Sequence, residues 1–394
     1  METEIRLRLE AVQRLLSGET KTSISQVLGK SRKWVNYWTS RYDPDDPLGS
    51  LGNRSSAPKE PHHKWSAEVK AMALNSRQLR MAADQAGYEY ALIGAEAIHF
   101  ELKALGIDPV PPIRTIHTWI EQAGLVSAPP AQEADQKSHK PYPAPTCQRV
   151  NDVHQLDLKG PIYLKGSSHK YYLLALRDFY SKAVALAAAQ NRKAQSIANF
   201  LVAAWQKIGL PTTLQMDNAL EFRGSNRHPR SFGKVVRLCL DVGVEPLFIP
   251  PREPWRNGFI ENFNGQAQRL LLNHADFADY ADLQNGSHRL EQAVNTTHRL
   301  AALDGKTPEE FRAGYSLRYL APDYDAQLGE LKLDKGSIAF IRLVRKSGRI
   351  TLQADDKFDI DPELAWHYVL ARINIAEKKL LIYHDGQLLK SFDF

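Results

Sequence analysis

Asp157, Asp217 and Glu261 are the residues on which a chemistry can be built. They stand in VHQLDLKG, LQMDNALEF and PPREPWRNGFIENFNG, and by local pattern they come from a strand, a strand end and the start of a helix. Three carboxylates delivered in that way can converge and hold two divalent metal ions, the arrangement that serves in-line phosphoryl transfer on a nucleic-acid backbone. Hard carboxylate oxygens suit Mg²⁺, which keeps several waters and bridges to phosphate, with Mn²⁺ as a substitute. No covalent enzyme intermediate is needed, so no Ser, Tyr or Cys is assigned as nucleophile.

With 45 Asp and Glu in the chain, spacing alone selects nothing. Context does. Thr213 to Met216 reads as a short buried strand stopped by Asp217-Asn218, so Asp217 sits at a strand's C-terminal end, where sites in α/β sheets form. Val153, Gln155 and Asp157 share one face of the preceding strand, with Leu156 and Leu158 on the other. Glu261 opens a helix after Pro250, Pro251, Pro254 and Gly258, and on it Glu261, Asn264 and Gln268 form one polar stripe. Trp255, Arg256 and Asn257 are candidates for shaping the site or gripping DNA; a loop anchored by a buried Trp explains them equally well. Glu221 lies four residues beyond Asp217 but has a weaker helical context than Glu261. Asp178 is assigned to a turn between hairpin strands, and His154 alternates away from Asp157 into packing.

These segments resemble the DDE integrase and transposase family, specifically bacterial insertion-sequence transposases with a retroviral-integrase-like catalytic core. PWRNGFIENFNG is the most specific of the three. The resemblance covers about 150 to 313, with looser similarity over the whole chain. It implies a ribonuclease H-like fold and Mg²⁺-dependent hydrolysis and transesterification of DNA ends, with Asp157, Asp217 and Glu261 as ligands of two Mg²⁺. It also implies double-stranded DNA partners (an element's terminal repeats and target DNA), a homo-oligomer on paired ends, and a cytoplasmic, nucleoid-associated place in a bacterial cell. Two departures stand out. Ala219 follows the Asp-Asn pair where many relatives carry Gly, and the 43 residues between Asp217 and Glu261 exceed the usual spacing, with the surplus in RGSNRHPRS, 223–231, read as a surface loop.

The order of elements agrees independently. Residues 153–158, 171–178 and 183–189 read as three strands. Ile197, Phe200, Leu201, Ala204, Trp205 and Ile208 mark a helix ended by Gly209 and Pro211. A fourth strand, a helix near 231–241, a fifth strand at 244–248 and the Glu261 helix complete an α/β core over 150–313.

Two helical units precede it. Over 1–58, Ile5, Leu9, Val12 and Leu16 form a stripe, TSISQVL a second helix, Gly29 the turn, and Ser31 caps RKWVNYWTSRY, a helix-turn-helix pattern. Lys30, Arg32, Lys33, Asn36 and Arg41 are its candidate DNA contacts; a solvated basic face on a small bundle is the bland alternative. Trp34, Val35 and Trp38 recur at helical spacing and read as core. A second helix-turn-helix unit spans 64–127, with Arg114, Thr115 and His117 as candidate DNA contacts on IRTIHTWIEQAGLV. Arg256, Asn257, Asn264 and Gln268 complete the candidate DNA-binding set. Residues 128–149 are a Pro-rich linker. The strands of 331–394 suggest a small SH3-like β-barrel.

Composition is consistent with this multidomain reading. The net charge of +6 suits a polyanionic partner, and two cysteines exclude a disulfide framework or a Cys-based zinc site. No signal peptide and no apolar run of spanning length is present, so the expectation is a cytosolic protein without membrane contact. A structure-specific nuclease of the same fold would not need two sequence-reading units. The remaining alternative is a non-catalytic DNA-binding regulator of the same architecture, and the intact triad argues against it.

Overall fold

A computed structural model describes residues 2–53, 65–82, 88–126, 140–225, 230–273, 276–325, 331, 333–353 and 356–394. The chain divides into two compact units, Met1–Lys64 and Trp65–Phe394. Most of the expected linker, 128–139, and the middle of the 223–231 insertion, 226–229, lie outside the described residues.

In the first unit, α1 (Glu2–Leu16), α2 (Lys21–Val27) and α3 (Arg32–Arg41) are followed by a short α4 (Pro47–Ser50). Gly29 takes φ +60 at the turn between α2 and α3, a conformation that costs glycine little. The Ser31 hydroxyl accepts from Trp34 N at 3.1 Å and so satisfies one of the orphan donors that open α3. Ala11, Val12, Ile24, Val35, Trp38 and Leu51 form the core. The Arg8 guanidinium lies 3.7 Å over Trp38 and donates to Leu51 O at 2.8 Å, which fastens α1 to the chain after α4.

The second unit begins with α5 (Ala67–Ala82), α6 (Ala95–Ala104) and α7 (Ile113–Gln122), packed around Ala73, Ile98, Leu102, Ile116 and Ile120. Next come the strands β1 (Val153–Ile162), β2 (Tyr171–Asp178) and β3 (Val184–Ala189), then α8 (Ala194–Ile208), β4 (Thr213–Met216), α9 (Leu220–Arg223), α10 (Lys234–Asp241) and β5 (Glu245–Phe248). Helices α11 (Gly258–Ala267), α12 (Tyr280–Thr296) and α13 (Pro308–Arg312) follow, with a π-helical turn, Gln268–Leu272, continuing α11. The first three strands are antiparallel, and β4 and β5 run parallel to β1 in the order β3-β2-β1-β4-β5, as the ribonuclease H-like expectation requires.

Each face of the sheet is covered. On one, Leu156, Leu176, Leu214, Met216 and Phe248 meet Ile197, Leu201 and Trp205 of α8 and Val235, Val236 and Cys239 of α10. On the other, Leu173, Ala175, Val184 and Leu186 meet Ile260 and Phe263 of α11 and Leu283 and Leu290 of α12. Helix α12 also covers the outer edge of β3. The Asn295 side-chain amide donates to Val184 O and accepts from Val184 N, while Glu291 accepts from Leu186 N at 2.7 Å. An edge strand left bare would be a template for another chain. Helices α5–α7 belong to this unit as well, and His298, just past α12, shares a 2.8 Å hydrogen bond with Tyr90 O.

The expected C-terminal barrel is corrected. Strands β6 (Ser337–Leu343), β9 (Tyr368–Asn374), β10 (Lys379–His384) and β11 (Gln387–Asp393) extend the core sheet to nine strands, ordered β11-β10-β9-β6-β5-β4-β1-β2-β3, and only β7 (Arg349–Thr351) and β8 (Lys357–Asp359) form a separate pair. The reason lies in β6. Ile338 to Arg342 are five consecutive buried residues, a strand covered on both faces, and it pairs parallel to β5 through Leu247 with Ala339 and Phe248 with Phe340. The turn between β10 and β11 is Asp385-Gly386, both with positive φ, as a two-residue hairpin turn demands.

Candidate active site

The geometry starts from the pairing of β1 with β4. Val153, His154 and Gln155 stand opposite Thr213, Leu214 and Gln215, a constant offset of 60 residues. Carried two residues further, that register sets Asp157 beside Asp217 on neighbouring strands, which run about 4.8 Å apart. Both carboxylates line a cleft of about 300 Å³ shared with Lys170, Arg192 and Glu221.

Two glutamines on the same strands hold the helix that bears Glu261. Gln155 Oε1 accepts from Ile260 N at 2.9 Å, and Gln215 Nε2 donates to Arg256 O at 3.0 Å and Asn257 Oδ1 at 3.3 Å. Helix α11 has no side-chain cap of its own, so Gln155 supplies the missing acceptor from a neighbouring strand. Asn257, 3% exposed, donates to Leu156 O at 3.2 Å. Asn264, 7% exposed, donates to Asp157 Oδ2 at 2.5 Å. The expected polar stripe is therefore split. Residues three apart on a helix differ by about 60° in direction, and α11 turns Asn264 onto β1 while Glu261 stays exposed at the rim.

The electrostatics follow from this crowding. Burial raises the Asp157 carboxyl above its ordinary value, and repulsion from Asp217 and Glu261 adds to it. The Asp217 carboxyl is also raised, first by burial and then by Glu221, while the bond its Oδ1 accepts from Ala219 N at 2.8 Å works the other way. Carboxylates that penalise each other's charge gain from a cation between them. Among the described residues no three His, Cys, Asp or Glu side chains already stand close enough to hold a metal ion. The donor set nevertheless fits one: paired hard carboxylates in a half-buried cleft, one of them oriented by an amide, with Glu261 on a helix fastened to the same strands. Glu221 faces the cleft too, but it is ion-paired with Arg192 at 3.0 Å.

The other candidates fall into separate places. On α3, Arg32, Lys33 and Asn36 are exposed, Asn36 accepting from Lys21 Nζ at 2.5 Å. Lys30 is paired with Glu4 at 3.0 Å, and Arg41 lies 5.0 Å over Trp38. On α7, Arg114 and His117 are exposed, His117 lies 3.4 Å from Glu121, and Thr115 is half-buried. Arg256 is held by Glu253 at 3.1 Å and stands 4.0 Å from the Tyr142 ring, and Gln268 donates to Asn273 Oδ1 at 2.7 Å. Trp255 is 51% exposed and does not anchor its loop in the core. Asp178 orders its turn, accepting from Ser181 N at 2.9 Å and facing Arg312 at 3.5 Å. His154 is fully buried with a ring nitrogen 3.0 Å from Asn151 Oδ1, and burial lowers its pKa to about 4.

Gln155 was seen only as a face partner of Asp157, and Gln215 was missed. The signal was present: QLD at 155–157 and QMD at 215–217 repeat one pattern, a glutamine two places before each carboxylate with an apolar residue between.

Residues 242–308 match the Integrase core domain family, and residues 2–47 match the Homeodomain-like domain family. The first match contains Glu261 and lies beyond Asp157 and Asp217; the second contains the helices α1 to α3. The chain thus carries an integrase core and a helix-turn-helix domain, the make-up of a transposase or integrase. Among solved structures it is similar to the HTLV-2 integrase catalytic core domain in complex with magnesium, at 19% identity over 41% of this chain and 95% of that one, TM-score 0.32. It is similar to the BIV integrase catalytic core domain at 16% identity over 41% and 92%, TM-score 0.31. A simian T-cell lymphotropic virus intasome in complex with PP2A regulatory subunit B56 gamma is matched at 16% identity over 80% and 95%, TM-score 0.37. No helix among the described residues is long and apolar enough to cross a membrane.

Proposed function

We propose that this chain is a DNA transposase that binds the terminal repeats of a mobile element, cleaves the element's ends and joins them to target DNA. The observation that carries this is the register of β1 and β4, which brings Asp157 beside Asp217, with the Glu261 helix bonded to both strands. Asp157, Asp217 and Glu261 would hold two Mg²⁺, or Mn²⁺ in their place; such ions, when bound, activate the attacking hydroxyl and stabilise the leaving oxygen. Asn264 keeps one oxygen of Asp157 in a fixed direction, so the carboxylate is presented and not free to rotate. Lys170 on the cleft wall offsets the charge of an incoming phosphodiester, while Arg192 beside it balances Glu221.

Recognition is assigned to α3, whose exposed Arg32, Lys33 and Asn36 suit a major-groove helix, with α7 as a second reader through Arg114, Thr115 and His117. One site acts on one end, so the working form is a homo-oligomer on paired ends, at the nucleoid of a bacterial cell. The test is cleavage and strand transfer on DNA carrying the inverted repeats that flank the source gene. Activity that needs a divalent ion and is lost with Asp157→Asn supports the reading. A second reading, a DNA-binding regulator without catalysis, draws on the exposed position of Glu261, outside the lining of the cleft that Asp157 and Asp217 share. It predicts repeat binding with no cleavage by the parent chain in Mg²⁺ or Mn²⁺.

A further inference from the structure

The loops after β4 and β5 lead to the second and third carboxylates, and the C-terminal strands reach both. Arg342, the penultimate residue of β6, is 3% exposed. Its guanidinium donates to Thr351 O at 3.0 Å, Leu352 O at 3.1 Å, Ile249 O at 3.2 Å and Asn218 Oδ1 at 2.7 Å. Asn218 in turn donates to Ile249 O at 2.5 Å. Asn218 follows Asp217 directly. With its amide held at both ends, the backbone from which Asp217 projects has little freedom. A cation kept in the interior on neutral oxygens alone is costly, and a Leu or Met in β6 would fill the same space more cheaply. The planar fork with its several donors is what reaches three segments, at Asn218, Ile249 and Thr351-Leu352, at once.

The second contact comes from β9. The Tyr368 hydroxyl donates to Glu253 Oε1 at 2.7 Å, and its ring lies 5.1 Å from the Arg256 guanidinium. Glu253 Oε2 accepts from Arg256 Nε at 3.1 Å, and Tyr142 stands over the same guanidinium at 4.0 Å. Glu253 stands at the N-cap of, and Arg256 lies within, the 3-10 turn Pro254–Asn257 that runs straight into α11 and Glu261.

We propose that the C-terminal strands are a clamp on the carboxylate-bearing loops, with Arg342 the positioning residue for Asp217 and Tyr368 the positioning residue for the Glu261 helix. Residues 331–394 then belong to the catalytic unit and are more than an appendage for DNA or subunit contacts. This rests on Asp157, Asp217 and Glu261 being the metal ligands.

The test uses the full chain with Asn218→Ala, Arg342→Lys and Tyr368→Phe. Three quantities are read: melting temperature, Mn²⁺ affinity of the protein alone by calorimetry, and kcat and KM for cleavage of repeat DNA. Asn218→Ala removes the two bonds of the Asn218 amide and leaves the carbonyl partners of Arg342 in place, so it decides the matter if Arg342→Lys fails to fold. The clamp predicts that Asn218→Ala, compared with the parent at a temperature where both are folded, weakens Mn²⁺ binding and lowers kcat by about 10- to 100-fold with KM for DNA unchanged, beyond any lowering of the melting temperature from the donor it leaves unpaired, and that Tyr368→Phe shows a smaller loss in the same direction. A parent that binds Mn²⁺ through Asp157, together with an Asn218→Ala variant that matches it in Mn²⁺ affinity and kcat, overturns the clamp alone. A parent whose Mn²⁺ binding is indifferent to Asp157→Asn overturns the metal-site assignment and the clamp with it.

Discussion

Asn264 donates its side-chain amide to Asp157 across 2.5 Å, so the helix that carries Glu261 is tied to the strand that carries the first carboxylate. The bond sits one helical turn beyond Glu261 and uses the carboxylate oxygen Oδ2. It therefore acts on the direction of Asp157 without occupying both of its oxygens. Asn264→Ala should lower metal-dependent cleavage by about 10- to 100-fold and leave repeat binding unchanged. Side-by-side cleavage rates and DNA gel shifts check this, and a variant that cleaves at the parental rate removes Asn264 from the site.

Gln155 has a different task. Its side chain supplies the acceptor for Ile260 N at the start of α11, where the helix has no cap of its own. Gln155→Ala leaves a buried donor unpaired, at a cost of about 1–3 kcal/mol. It should lower the melting temperature of the full chain, and Gln215→Ala should act in the same direction through the lost bonds to Arg256 O and Asn257. Calorimetric melting of both variants is the check.

Burial, with charge repulsion added to it, gives the cleft a pH dependence with a definite sign. The folded-state pKa of Asp157 is raised above its ordinary 3.8, so between that value and the raised one the folded chain binds more protons than the unfolded chain. Stability without metal therefore falls as pH rises through this window, and the penalty is complete above it. Asp157→Asn removes the penalty and should raise the metal-free melting temperature at neutral pH by roughly 1–3 °C, with the gap closing as pH falls toward the ordinary value. Adding Mn²⁺ should stabilise the parent and not the variant. A melting temperature of Asp157→Asn below the parent's at neutral pH, without metal, would contradict the cleft electrostatics.

The exposed basic residues of α3 make the recognition assignment testable separately. Arg32→Ala or Lys33→Ala should cost about 1–3 kcal/mol on repeat DNA if the residue reads a base, or weaken all sequences alike and reduce the salt slope by about 1 if it grips phosphate. Competition shifts of residues 1–127 against random DNA at several salt concentrations distinguish these. An arm with no preference for the repeats sinks the assignment.

The carboxylate segments were legible because each is a short local signal: a strand's alternation before Asp157, a strand stop at Asp217, and a Pro- and Gly-bounded helix start at Glu261. The helix-turn-helix was legible for the same reason, from Gly29 and Ser31. What failed was pairing over distance. The segment SIAFIRL reads correctly as a strand, but nothing within it says that its neighbour is β5, about 90 residues earlier. The hairpins of 331–394 look complete in themselves, so a closed barrel was the natural guess. Nothing local to SIAFIRL marks Arg342 as the residue that ties Asn218, Ile249 and Thr351-Leu352 together. Asn264 reads as a DNA contact because a polar stripe on a helix usually faces outward; here the strand beneath it is itself polar, at Gln155 and Asp157, and Asn264 bonds to Asp157, while Asn257, just before the helix, bonds to Leu156 O.

Cleavage and joining of repeat DNA in Mg²⁺ by Asp157→Asn, Asp217→Asn, Glu261→Gln and Glu221→Gln is the most direct measurement. Each substitution keeps side-chain volume and removes one charge. The first three should abolish chemistry while repeat binding stays near parental, and Glu221→Gln should retain it, since Glu221 is taken up by Arg192. If Glu221→Gln loses activity while Glu261→Gln keeps it, the third ligand faces the cleft from α9 and not from α11. If Asp157→Asn and Asp217→Asn both cleave like the parent, the pair that the β1–β4 register brings together is not the active site.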